Sequence, residues 1–137
     1  MLAHRTPHFK ETPMKLIRIA LILISAVALG TTPALASHFE PIRSFQGSLD
    51  EGYTLKHYIT LYAGYEYRVE ADCDGDCSDL DLQLFDMYGK LSLFDTNSDD
   101  TPTLNFQVNQ TGEFIVKVVM SSCSREPCDY SVTVSER

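Results

Sequence analysis

Between residues 72 and 100 the chain carries a set of side chains suited to a hard cation: Asp72, Asp74, Asp76, Asp79, Asp95, Asn97, Asp99 and Asp100. Crowded carboxylates repel one another, and a divalent cation offsets the repulsion. Calcium, which accepts many oxygen ligands from irregular loops, is the metal this set is expected to hold. Asp72-x-Asp74-x-Asp76 has the alternation that opens an EF-hand loop. The rest of that pattern fails, because glycine stands fourth (Gly75) rather than sixth and Gln83 replaces the closing glutamate. The competing use of these aspartates is to solvate loop tips, cap turns and keep strand edges from aggregating.

Two cysteine pairs flank the same region, Cys73 with Cys77 and Cys123 with Cys128. An even number of cysteines in an exported chain reads as disulfides. Local bridges, Cys73–Cys77 and Cys123–Cys128, are expected. A crossed pairing would close a longer loop and stabilise more, and a four-thiolate zinc site is a further alternative. A redox role is not expected, since an acidic setting raises a thiol's pKa and suppresses the reactive thiolate.

Catalytic chemistry finds little to work with. Beyond residue 36 the only histidines are His38 and His57. His57 falls on the apolar face of a strand pattern, where packing is the expected role. No Gly-x-Ser-x-Gly elbow occurs. Asp79 and Asp81 share a strand face, the placement of paired acid and base groups, but also that of an ordinary solvated face. Tyr65, Tyr67 and Tyr130 fit core positions. Tyr58 and Tyr62 alternate outward, where they can stack on a sugar or a peptide or cover the second sheet.

What positions these residues begins with export. Met14-Lys15-Leu16-Ile17-Arg18 is a short basic start, Ile19 to Leu29 is apolar, and Ala34-Leu35-Ala36 offers small residues for cleavage before Ser37. Residues 1–36 read as a secretory signal, with Met14 as a candidate true start; the apolar run is too short to span a bilayer. Residues 37–137 then form one domain. They hold 18 acidic and 7 basic side chains, a net charge of −11 against −8 for the whole chain. Such a charge opposes nucleic acid and anionic membranes.

The exported part has strand periodicity throughout. Leu55, His57, Ile59 and Leu61 alternate with Thr54, Lys56, Tyr58 and Thr60. Tyr65, Tyr67, Val69 and Ala71 form the next alternating set, and a hairpin through Ala63-Gly64 is expected between the two. Further strands fall near 43–49, 79–86, 91–94, 103–108, 113–120 and 129–134, the seventh placed centrally because both its faces are partly apolar. Gly89 is placed to take positive φ in the turn after residue 86. About eight short strands with no helical period indicate an all-β fold, a two-sheet antiparallel β-sandwich or jelly roll.

Asp79-Leu80-Asp81-Leu82-Gln83-Leu84-Phe85-Asp86 with Gly89, Gly112-Glu113-Phe114-Ile115-Val116-Lys117-Val118 and the closing Asp129-Tyr130-Ser131-Val132-Thr133-Val134 resemble the bacterial pre-peptidase C-terminal domain over residues 43–135. The resemblance implies a small secreted β-sandwich, usually appended to extracellular proteases and other secreted enzymes.

If successive strands run antiparallel, loops 72–79, 95–102 and 121–128 share one end of the sandwich. That end would gather the eight oxygen-bearing side chains and all four cysteines. The expected function is a secreted or periplasmic, non-enzymatic accessory or binding module, with calcium as its one candidate cofactor. Its partner would be a protein or polysaccharide, with no nucleic acid and no stable membrane insertion. A structural cell-envelope protein and a metal-dependent hydrolase are the alternatives.

Overall fold

The computed structural model describes residues 38–137; the expected signal segment and Met14 lie outside the described residues. Eight strands follow in order: β1 (Glu40–Leu49), β2 (Thr54–Leu61), β3 (Glu66–Cys73), β4 (Cys77–Phe85), β5 (Leu91–Asp95), β6 (Thr103–Gln107), β7 (Gly112–Cys123) and β8 (Cys128–Glu136). They form two four-stranded antiparallel sheets, ordered β1-β8-β3-β6 and β2-β7-β4-β5. The all-β sandwich read from the alternation is therefore the fold. β7 is central, with β2 on one side and β4 on the other.

The expected hairpin between the second and third strands does not form. β2 pairs with β7, while β3 pairs with β6 and β8 in the other sheet. The Ala63-Gly64 turn, where Gly64 takes φ 94°, carries the chain across the sandwich instead of along an edge. A period of two says which face is apolar but not whether the next strand lies beside it or opposite it. Only β4 and β5 are both consecutive and paired. Their turn uses Gly89 at φ 76°, the positive value anticipated for it, while Asp86 Oδ1 accepts the Tyr88 and Lys90 N–H groups, both at 2.9 Å.

The core lies between the sheets. Tyr67, Val69, Leu104, Val132 and Val134 face Leu80, Leu82, Leu84, Val116, Val118 and Met120, all essentially buried. β3, β4, β7 and β8 each supply about every second residue, so the alternation read from their sequence is the core itself. Two expected core residues are not enclosed. Tyr65 is 45% exposed and Leu55 44% exposed. Tyr65 sits in the turn just before β3, and Tyr67 takes the interior place with its Oη hydrogen-bonded to the Tyr62 N–H at 2.9 Å. Leu55 lies on the edge strand β2, where the opposing sheet gives less cover.

The start and finish of the described chain are tied together. Phe39 lies under the guanidinium groups of Arg68 and Arg137, 4.3 and 4.5 Å from its ring centroid. Arg137 also pairs with Glu66 at 2.6 Å.

Candidate functional site: the disulfide-tied acidic end

The strands reach further than their patterns suggested, and this shortens the loops at the acidic end. β3 ends at Cys73 and β4 starts at Cys77; β7 ends at Cys123 and β8 starts at Cys128. Each cysteine therefore terminates a strand. The disulfides are Cys73–Cys77 and Cys123–Cys128, the local pairing. Cys77 and Cys123 are opposite partners in the β4–β7 ladder, yet the crossed pairing is not the one adopted.

The three loops do share one end, and backbone hydrogen bonds join them. Asp74 N donates to Asp129 O at 3.0 Å, Ser124 N to Asp76 O at 2.8 Å, and Leu80 N to Asp99 O at 2.9 Å. Ala71 N donates to Pro102 O at 3.1 Å, which anchors the loop between β5 and β6 to β3.

Most of the nominated side chains serve these turns. Asp74 uses both oxygens on peptide N–H groups, those of Asp76 at 3.2 Å and Asp129 at 2.9 Å. Asp95 accepts from Asn97 N and Nδ2 through one oxygen and from Thr103 N at 2.9 Å through the other. Asp99 Oδ1 accepts the Thr101 N–H at 3.0 Å. Short aspartate side chains do this in turns because the carboxylate reaches the N–H two residues on. Asp72 accepts from the Ser131 hydroxyl. Asp76 lies 3.8 Å from Arg125 in an exposed ion pair. The Asp100 side chain makes no hydrogen bond or ion pair among the described residues. Among the described residues, no three His, Cys, Asp or Glu side chains converge in an arrangement that could hold a metal ion.

Asp79 is different. Its Oδ1 is buried without a hydrogen-bond partner. Burial pushes its pKa up, and the nearby Asp81 and Asp99 carboxylates push it the same way. Asp81, on the same face of β4, accepts from the Ser121 hydroxyl at 2.5 Å.

Sequence reasoning missed the fourth loop at this end. Strand parity that gathers the loops after β3, β5 and β7 also gathers the one after β1. Glu51 from that loop accepts the Cys123 N–H at 3.0 Å, and its own N–H donates to Glu126 at 3.0 Å. Residues 50–53, 74–76, 96–102 and 124–127 together carry seven carboxylates and one base, Arg125.

The outward tyrosines lie elsewhere. Tyr58 and Tyr62, each 56% exposed, join Ile42, Arg43, Tyr65, Thr111 and Glu136 around a groove of about 820 Å³ between β1 and the far end of β2. His57 points between the sheets, stacked on Phe45 at 4.4 Å and hydrogen-bonded to Tyr130. That arrangement matches the packing role expected of it.

No family model matches this chain, and no curated protein matches it in sequence. Solved structures do match. One is the pre-peptidase C-terminal domain of a collagenase from Bacillus anthracis, with a TM-score of 0.51 and 14% identity, covering 67% of this chain and 87% of that one. The sandwich has the pre-peptidase C-terminal domain fold. The fold that the Asp-Leu-Asp-Leu and Gly-x-Phe-x-Val-x-Val strands resemble is thus the one found. Another matching structure is PliG from Aeromonas hydrophila, a periplasmic inhibitor of g-type lysozyme. Its TM-score is 0.51 and its identity 14%, covering 69% of this chain and 85% of PliG.

Proposed function

We propose that this protein is a non-enzymatic accessory module that acts outside the cytoplasm and binds other proteins, docking a basic surface of its partner on the disulfide-tied acidic end. The observation that carries this reading is the build of that end. Four loops with seven carboxylates and one base are held by two disulfides and by hydrogen bonds from loop to loop. Loops already fixed lose little freedom on binding. Concentrated negative charge steers a cationic partner and speeds encounter.

Other features support it. Two disulfides suit an oxidising compartment. One structural neighbour, PliG, is a periplasmic inhibitor of a lysozyme, and a lysozyme is a protein partner. His57 is engaged by Phe45 and Tyr130, so its role is packing rather than that of a general base. Among the described residues, no helix is long and apolar enough to cross a membrane.

The test is a direct binding measurement with purified g-type lysozyme as the probe, the oxidised protein being immobilised. A saturable complex that weakens as salt rises is the expected result. No complex at low ionic strength would overturn the reading.

A further inference from the structure

A sandwich of two open sheets has four edge strands, and here three of them are blunted. β1 contains Pro41 and Gly47 and shifts register between Pro41 and Arg43. β5 and β6 are five residues each. β6 follows directly on Pro102, and the β4–β5 ladder shifts register between Leu84 and Phe85. Such devices keep an edge from pairing with another chain. β2 has no proline, no register shift and is not short; its one charged residue is Lys56. It runs eight residues, Thr-Leu-Lys-His-Tyr-Ile-Thr-Leu, with no glycine and an unbroken register against β7. Among the described residues, its other side has no hydrogen-bonded neighbour in the sheet. The strand is rich in β-branched and aromatic residues, and both Leu55 and Tyr58 are well exposed.

We infer that β2 pairs antiparallel with β2 of a second copy of this chain about a two-fold axis, joining the two β2-β7-β4-β5 sheets into one of eight strands. A two-fold interface presents the same patch from both sides. Directly opposed residues in a ladder share a face, so the axis must pass through a single residue position. Two positions overlap the strand well, His57 and Tyr58. Centring on His57 sets Lys56 against the partner's Tyr58 and leaves the charges unmatched. Centring on Tyr58 sets Lys56 against the partner's Thr60.

The Tyr58 register is selected by what lies behind each strand. On the outer face of the sheet, Lys56 stands beside Lys117, and Thr60 beside Glu113. Like charges directly opposite destabilise a ladder, yet here two lysines sit side by side. The Tyr58 register continues that row into the partner's Thr60 and then the partner's Glu113, so a cationic pair meets a carboxylate across the axis. The neighbouring row is apolar. Tyr58 is opposite Ile115, Ile115 opposite Phe85 and Phe85 opposite Leu91. Tyr58 and Leu91 are exposed. On the two-fold this row meets its own copy at Tyr58 and runs unbroken across eight strands, while Leu55 meets the partner's Leu61. The lysine pair, the apolar row and the unbroken edge thus call for the same neighbour, one that offsets the Lys56 charge that would otherwise guard the edge.

The experiment is sedimentation equilibrium on the purified, oxidised full-length protein from micromolar to millimolar concentration, alongside Tyr58→Glu. The wild type is expected to form a dimer, and Tyr58→Glu to remain monomeric with an unchanged circular dichroism spectrum. Photo-oxidative coupling of tyrosines should give a dityrosine between two copies of the Tyr58 peptide, absent in Tyr58→Phe. A protein that stays monomeric throughout, a dimer that survives Tyr58→Glu, or dityrosine formed only at other tyrosines would each overturn the inference.

Discussion

The His57 ring nitrogen Nε2 lies 2.9 Å from Tyr130 Oη, a hydrogen bond from the edge strand of one sheet to an inner strand of the other. It is a polar link across an interior lined by buried apolar side chains. Phe45 stacks on the imidazole at 4.4 Å, and the Arg43 guanidinium lies 5.5 Å from the Phe45 centroid. Burial holds the His57 pKa below the ordinary histidine value of about 6.5. The unfolded chain therefore takes up the proton more readily than the folded one. Stability should be full above the ordinary histidine range and should fall as pH drops below about 6.5. Thermal melts from pH 8 to pH 5 should show this fall in the wild type and a flatter profile in His57→Phe. An identical slope in the two would contradict the assignment.

Asp79 should act in the opposite sense. Its raised pKa, caused first by burial and then by the Asp81 and Asp99 carboxylates, means that the folded state binds the proton more tightly. Ionisation of Asp79 at neutral pH then costs stability, and the cost vanishes as pH falls below the ordinary aspartate range. Asp79→Asn should raise the melting temperature at pH 7 and leave it unchanged near pH 3. A lowered melting temperature at pH 7 would mean that the carboxylate has a favourable partner.

Gly47 stands opposite Tyr130 in the β1–β8 ladder. A Cβ there would come within 2.7 Å of Tyr130 Oη and 2.9 Å of the ring carbon that bears it. The phenol therefore needs a glycine above it in order to reach His57. Gly47→Ala should cost about 1–3 kcal/mol, the usual penalty of overpacking, measured by urea denaturation. It should also weaken the pH dependence that His57 confers.

Each disulfide closes a loop of only a few residues. In the chain-entropy model that is worth about 2 kcal/mol per bridge. Cys73→Ser with Cys77→Ser should lower the melting temperature by roughly 10 °C in a domain of this size, as should Cys123→Ser with Cys128→Ser. Chelation by EDTA should leave the melting temperature unchanged, because Asp74 and Asp95 already spend their oxygens on peptide N–H groups. A large drop on chelation would contradict that account of the loops.

The alternation of residues such as Leu80, Leu82 and Leu84 against Asp79, Asp81 and Gln83 was enough to read both the strands and the core, because burial on one face leaves a period of two in the sequence. Pairing was not legible in the same way. Nothing in Tyr53 to Ala71 distinguishes a hairpin from a crossover, since both bury the same faces; only the partners β7 and β8, far along the chain, decide it. The shared end of the acidic loops followed from strand parity alone. The uses of the aspartates did not, because whether a carboxylate caps an N–H or faces solvent depends on the local turn. Glu51 was missed although the same parity rule covers its loop. Tyr65 was misplaced because the alternation continues into the turn while the burial does not begin until β3.

The central claim, that the acidic end binds basic protein surfaces, is tested most directly by the rate of association with purified g-type lysozyme as ionic strength rises. Asp50, Asp76 and Asp100 make no turn-capping hydrogen bonds through their side chains, so changing all three to asparagine should leave the fold intact. An association rate that falls about tenfold from low to physiological salt is predicted for the wild type, and a slower rate with a weaker salt dependence for the triple variant, which keeps Glu51, Asp74, Asp99 and Glu126. Equal rates and equal salt dependence in the two proteins would contradict it.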